Sequence, residues 1–133
     1  MIFFRLLEGE DLAAGIKKRA EEAGVKTGAI MLIGALEQMV AGCYKNGEYK
    51  YINVSGPVEI ATCMGNVALD ETGETVVHAH LMVSNENGES FGGHLMKGCI
   101  VGPTAELVII ETVGMNLVRA FDEKTKLKLL KLG

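Results

Sequence analysis

An α+β domain, one long helix against a mainly antiparallel β-sheet, is what this chain predicts, and three observations predict it. Residues 11–23 show clear helical periodicity, and no other segment before the C-terminus does so as well. The remainder alternates, or runs apolar, in stretches of strand length. Those stretches are separated by turn signals drawn from seventeen glycines and several asparagines. The length, 133 residues, suits a single domain over 1–133 with a real core.

The elements follow in order. Met1–Leu7 is apolar, lacks a basic lead-in and runs into acidic residues, so it reads as a first strand of a cytoplasmic protein rather than a signal segment. In the helix, Leu12, Ile16, Ala20 and Ala23 make an apolar stripe, with Asp11 as N-cap and Gly24 just past the end. Ala29–Ile33 is a continuous apolar run interrupted by Gly34. Gln38–Lys45 and Glu48–Val54 flank Asn46-Gly47, the strongest short hairpin signal. Glu59–Leu69 carries Gly65, which suggests a bulge or bend. Thr75–Val83 and Glu89–Val101 flank a turn at Asn87-Gly88. Thr104–Val113 is apolar enough for a central strand. Leu117–Phe121 and Leu127–Leu132 flank Asp122–Thr125, and the last piece also fits a frayed helix.

Ile30, Leu32, Val108, Ile110 and Val113 all call for burial, more than one helix covers. A second sheet layer or neighbouring subunits must cover the rest, and homo-oligomerisation is expected. Met31, Met39, Met64, Met82, Met96 and Met115 read as core filling. Cys43, Cys63 and Cys99 form neither a disulfide framework nor a zinc ribbon and read as buried thiols. A net charge of −4 argues against a phosphate-neutralising surface, so direct nucleic-acid binding is not expected. No apolar run reaches the roughly eighteen residues of a membrane span.

Chemistry points to one place. All three histidines fall between 78 and 94, in Val77-His78-Ala79-His80-Leu81 and Phe91-Gly92-Gly93-His94-Leu95. His-x-His on a strand puts both imidazoles on one face. A hairpin through Ser84–Glu89 would bring the third from the next strand, completing a three-nitrogen site with a fourth position open for water or a ligand oxygen. Gly92 and Gly93 would let backbone approach a neighbouring strand or ligand closely. Among carboxylates, Glu59 and Glu106 sit in apolar strand contexts and are the candidate proton carriers, or else sheet ion pairs to Arg5 or Arg119. Glu86 and Glu89 read as solvated turn residues, and Cys99 lies outside tight ligand spacing. Ser84, Ser90 and Thr62 have no nucleophile-elbow context.

Val76–Leu81, Asn87-Gly88 and Gly92-Gly93-His94-Leu95 together resemble the core motif of the plants-and-prokaryotes conserved (PPC) domain. Arg5-Leu6 with Gly9–Leu12, Ile33–Leu36, Glu59-Ile60 with Gly65-Asn66, and Thr104–Val108 extend the resemblance over nearly the whole chain. It implies a homotrimer that binds metal through His78, His80 and His94, zinc or another divalent transition metal, with an unsettled biochemical role. The plant members' DNA-binding hook, Arg-Gly-Arg-Pro, is missing here. Their partner-binding motif falls on Gly56–Ala61 and matches only at Gly56, Glu59 and Ile60. The fold is more distantly similar to acetolactate decarboxylase, a three-histidine zinc enzyme. Three functions follow as expectations. The first is a metal-binding trimer whose metal holds a small anionic ligand or stabilises the assembly. The second is a zinc lyase or hydrolase of a small oxygenated acid, with Arg5 or Arg119 on the carboxylate. The third is a metal-free interaction trimer recruiting a partner through Gly56–Ala61.

Overall fold

The computed structural model describes residues 1–131. Its elements are β1 (Ile2–Leu6), α1 (Leu12–Glu22), β2 (Gly28–Lys45), β3 (Glu48–Asp70), β4 (Thr75–Ser84), β5 (Ser90–Leu95), β6 (Ile100–Glu111), β7 (Val118–Asp122) and β8 (Leu127–Leu130). The strands form one sheet in the order β1-β6-β2-β5-β4-β3-β7-β8, antiparallel except where β7 lies parallel to β3. Because β2 and β3 also pair directly, the four strands β2, β5, β4 and β3 close on themselves. The α+β class and the single helix agree with the sequence.

The helix begins where Asp11 caps it. Its carboxylate accepts from the backbone N–H of Ala14 at 3.0 Å and, with the other oxygen, from Gly98 at 2.7 Å. Leu12, Gly15, Ile16 and Ala20 face inward, and Gly24 follows the C-cap at φ +68°. The core they join includes Leu6, Leu36, Met39, Leu81, Val83, Leu107 and Ile109, all fully enclosed. A buried aliphatic side chain contributes about 1.5–3 kcal/mol relative to exposure. This layer is therefore the main source of stability.

Several boundaries differ from expectation. Ala29–Ile33 and Gln38–Lys45 are one strand, β2, and Glu48–Val54 and Glu59–Leu69 are one strand, β3. The glycines between these segments allow two backbones to approach rather than ending the strand, and irregularities flank Gly34 and Glu37 in the β2–β3 ladder. Gly65 is not a bulge. It pairs in regular register with Ala79, and the β3–β4 irregularity lies between Ile60 and Thr62. Glu89–Val101 is not one strand either, because the chain leaves the ladder after Leu95, and Gly98 takes φ +105° beneath the Asp11 cap. Asn46 and Gly47 both have positive φ, as the tight β2–β3 hairpin requires. Leu127–Leu130 is a strand, and Leu132 lies outside the described residues.

The burial expectations need correction too. Ile30 and Leu32 are buried, but Ile110 is exposed, and Val113 lies beyond the end of β6 and is almost wholly exposed. Of the six methionines read as core filling, only Met39 is enclosed, while Met31, Met64, Met82 and Met115 are exposed. Met31, Met64 and Met82 alternate with core residues on their strands, so they project from the opposite face of the sheet. Cys63 and Cys99 are buried, and burial pushes the Cys63 thiol up to about 12, whereas Cys43 is exposed.

Candidate metal centre

On β4, Ala79, Leu81 and Val83 point into the core, so His78 and His80 share the outer face. The β4–β5 turn is fixed by Asn85, whose side-chain oxygen accepts from the backbone N–H groups of Asn87 and Glu89 at 3.0 Å each. That turn sets the register, and it puts His94 directly opposite His80. The ring centroids are 5.3 Å apart for His78 and His80, 5.0 Å for His78 and His94, and 5.4 Å for His80 and His94. One nitrogen of each ring falls within 4.8 Å of the others. A tetrahedral ion with zinc–nitrogen bonds of about 2.0–2.1 Å would need nitrogens about 3.4 Å apart, so the trio would have to draw together somewhat to hold one.

Electrostatics suit a cation ligand set. Burial, then the neighbouring His78, His80 and Arg119, pushes His94 down to about 4. Burial, then Arg119 and His80, also lowers His78. Both rings are therefore neutral near pH 7, each with a single lone pair, that of His78 engaged by Arg119. Three imidazoles suit zinc, copper, iron or nickel rather than magnesium or calcium.

Three close approaches between backbones make this convergence possible. A side chain at Gly65 would stand 2.0 Å from the His78 carbonyl, and one at Gly92 would stand 2.2 Å from the Leu81 carbonyl. Gly93, at φ +156°, also admits no Cβ against the Gly42 carbonyl. Gly92 and Gly93 thus bring β5 against β4 and β2 and seat His94.

Arg119 of β7 lies at the same site, 5% exposed. Its Nη2 donates to Asn66 Oδ1 at 2.8 Å and to His78 Nδ1 at 3.1 Å, and its Nη1 donates to the Lys128 carbonyl at 3.1 Å. Its Nε is buried with no acceptor among the described residues, a deficit of roughly 1–3 kcal/mol. Tyr49 closes the other side, its ring 4.9 Å from that of His94, and burial raises its phenol. Nothing in the sequence marks Tyr49 or Asn66 as site residues, because only the register of β3 against β2 and β4 brings them here. A cleft of about 230 Å³ is lined by His78, His94, Arg119 and Tyr49. A second, of about 330 Å³, lies over all three histidines with Gly92 and Gly93.

The other candidates lie elsewhere. Glu59 is exposed on β3 and faces Ser84, four residues beyond His80 on β4. Glu106 and Arg5 are exposed partners across β6 and β1, toward the opposite edge from β7 and β8. No ion pair joins Glu59 or Glu106 to an arginine among the described residues. Cys99 is held against the backbone of Val40.

Known proteins resemble this chain to different degrees. A bifunctional protein GlmU of Synechococcus sp. (strain JA-3-3Ab) is 30% identical over 122 residues, which are 91% of this chain but only 18% of that protein. The chain thus spans under a fifth of the curated relatives it matches. A metal-containing protein of Archaeoglobus fulgidus superposes with TM-score 0.88 at 32% identity, covering 98% of this chain and 92% of that one. A plant- and prokaryote-conserved (PPC) protein of Pyrococcus horikoshii gives 0.88 at 34%, covering 99% and 92%. α-Acetolactate decarboxylase of Bacillus subtilis strain 168, at 16% identity and TM-score 0.58 over 89% of this chain and 54% of that one, shares the fold alone. The family model of the Plants and Prokaryotes Conserved (PCC) domain matches residues 1–113, from β1 through the end of β6 and so across all three histidines, and the chain belongs to that family.

Proposed function

We propose that this protein is a homotrimeric metal-binding domain in which His78, His80 and His94 hold a divalent transition metal, zinc first, whose open position takes a small anionic ligand. The observation that carries the reading is the convergence of three imidazoles, two of them depressed in basicity, on one side of a closed strand arrangement. The similarity to a metal-containing archaeal protein supports it. A bound zinc would supply Lewis acidity, and the chain's own residues would orient its ligands. Arg119 donates to His78 Nδ1, the one lone pair of that neutral ring, so ligation through His78 would require this contact to be released, and Tyr49 would wall the His94 side. Turnover would also need a proton carrier beside the metal, and Glu59 and Glu106 are the carboxylates to examine, although both stand on other parts of the sheet surface.

The test is the metal content of the untagged chain purified without added metal. Near one equivalent per chain is expected for the wild type. His94→Ala should fall below a tenth of that while keeping its far-UV circular dichroism. Full metal retention by His94→Ala would refute the assignment.

A further inference from the structure

We propose that Arg119 is the anchor of an anion subsite, so that the ligand beside the metal is a short-chain carboxylate seated in the cleft between His78, His94 and Arg119. This rests on the metal-site reading only for the ligand's second contact. Arg119 is buried, yet no carboxylate pairs with it among the described residues. A buried guanidinium without a counter-charge is costly, and its Nε–H still lacks an acceptor. The nearby Lys128 ammonium is already satisfied by Asp70 at 2.7 Å, so the uncompensated charge belongs to Arg119. The adjoining imidazoles are donors of lone pairs and bring no negative charge. Nothing among the described residues neutralises the group, and we assign that role to a bound anion.

The cleft also selects the anion. Its walls include Tyr49, Val76, Val77 and Leu129, so apolar surface surrounds a cationic base. At about 230 Å³ it suits a few heavy atoms. Inorganic phosphate would leave those walls unsatisfied, whereas a carboxylate with a short aliphatic body meets both surfaces. Each methylene buried there should tighten binding roughly fourfold. Arg119 also donates to His78, so the charge that receives the carboxylate is tied to a ring of the metal trio.

The test uses zinc-loaded full chain titrated with butyrate, acetate, butyramide and inorganic phosphate by calorimetry, with the Arg119 Nε–H resonance followed by NMR. The chain has only three arginines, Arg5, Arg19 and Arg119, which makes that signal assignable. Butyrate should bind at least tenfold more tightly than its neutral isostere butyramide and more tightly than acetate or phosphate, and it should shift the Arg119 signal. Arg119→Gln, titrated at a zinc concentration that keeps it saturated, should lose tenfold or more in butyrate affinity. Equal binding of butyrate and butyramide, an unmoved Arg119 signal, or unchanged affinity in Arg119→Gln each overturns the proposal. If Arg119→Gln does not fold, the wild-type titrations decide alone. Should the chain take up no zinc, the metal reading fails by itself. The same NMR titration of the metal-free chain then decides the anchor, a shift supporting it and none overturning it.

Discussion

At the scale of single residues, Asp70 shows how a side chain unremarked in the sequence holds the site's surroundings. Its carboxylate accepts from Lys128 Nζ, from the Thr72 hydroxyl and backbone, and from the Glu74 backbone. Those contacts, Lys128 first, hold it well below the usual carboxylate range. The Lys128 side chain is half exposed, so solvent screens its Coulomb share. The hydrogen bonds to Thr72 and Glu74 in the β3–β4 turn add to it. The folded-state value is depressed, so the unfolded chain takes up the proton first on acidification. This contribution is complete at neutral pH and is lost as pH falls below about 4. Asp70→Asn should therefore lower Tm at pH 7, and its deficit against the wild type should shrink through that acid window. A deficit independent of pH in thermal melts from pH 7 to pH 3 would remove the charge from the explanation.

At the scale of elements, the histidine constellation was legible because it depends on two local rules, the two-residue period of β4 and the turn at Asn85–Glu89. Those rules hold whatever the remaining sheet does. The partners of the histidines were not legible. Asn66 and Tyr49 reach the site only through long-range register, and Glu59 and Glu106 reveal their exposure only once the faces of β3 and β6 are assigned. The methionines misled for a related reason, since period 2 says which residues share a face but not which face is the core. Gly65 is where this becomes testable. The sequence suggests a bulge or bend there, yet it is a close approach of β3 to the backbone of His78. Gly65→Ala should push β3 away from β4, destabilise the fold by about 1–3 kcal/mol in urea unfolding and weaken metal binding. Gly73→Ala should leave metal binding intact, because a side chain there meets nothing within 4 Å, although its φ of +85° adds a local strain. Equal metal affinities in the two variants would separate the strand approach from the site.

At the scale of the whole molecule, the outer face of the sheet carries a row that the ladder registers make continuous. Phe3 pairs with Val108, Val108 with Met31, Met31 with Met64, and Met64 with His80. Phe3 is 70% exposed and Met64 59%, and Ile33 in the neighbouring row is 57% exposed. An apolar band of this kind, rimmed by Arg5 and Glu106, is what a subunit interface buries. Together with the family resemblance it motivates the proposed trimer. The band also runs into the metal trio at His80, the one exposed ring of the three, so assembly and metal retention should be coupled. Light scattering should give about 43 kDa for the wild type, three chains of 14.2 kDa. Met31→Glu places a charge in the band two strands from His80 and should yield a folded monomer, because an unpaired carboxylate opposes burial. If the band shields His80, that monomer should release zinc to a chelator faster than the trimer, although every ligand is intact. A wild-type mass of one chain would refute the trimer, and a monomeric variant releasing zinc at the wild-type rate would show that the site is complete within one subunit.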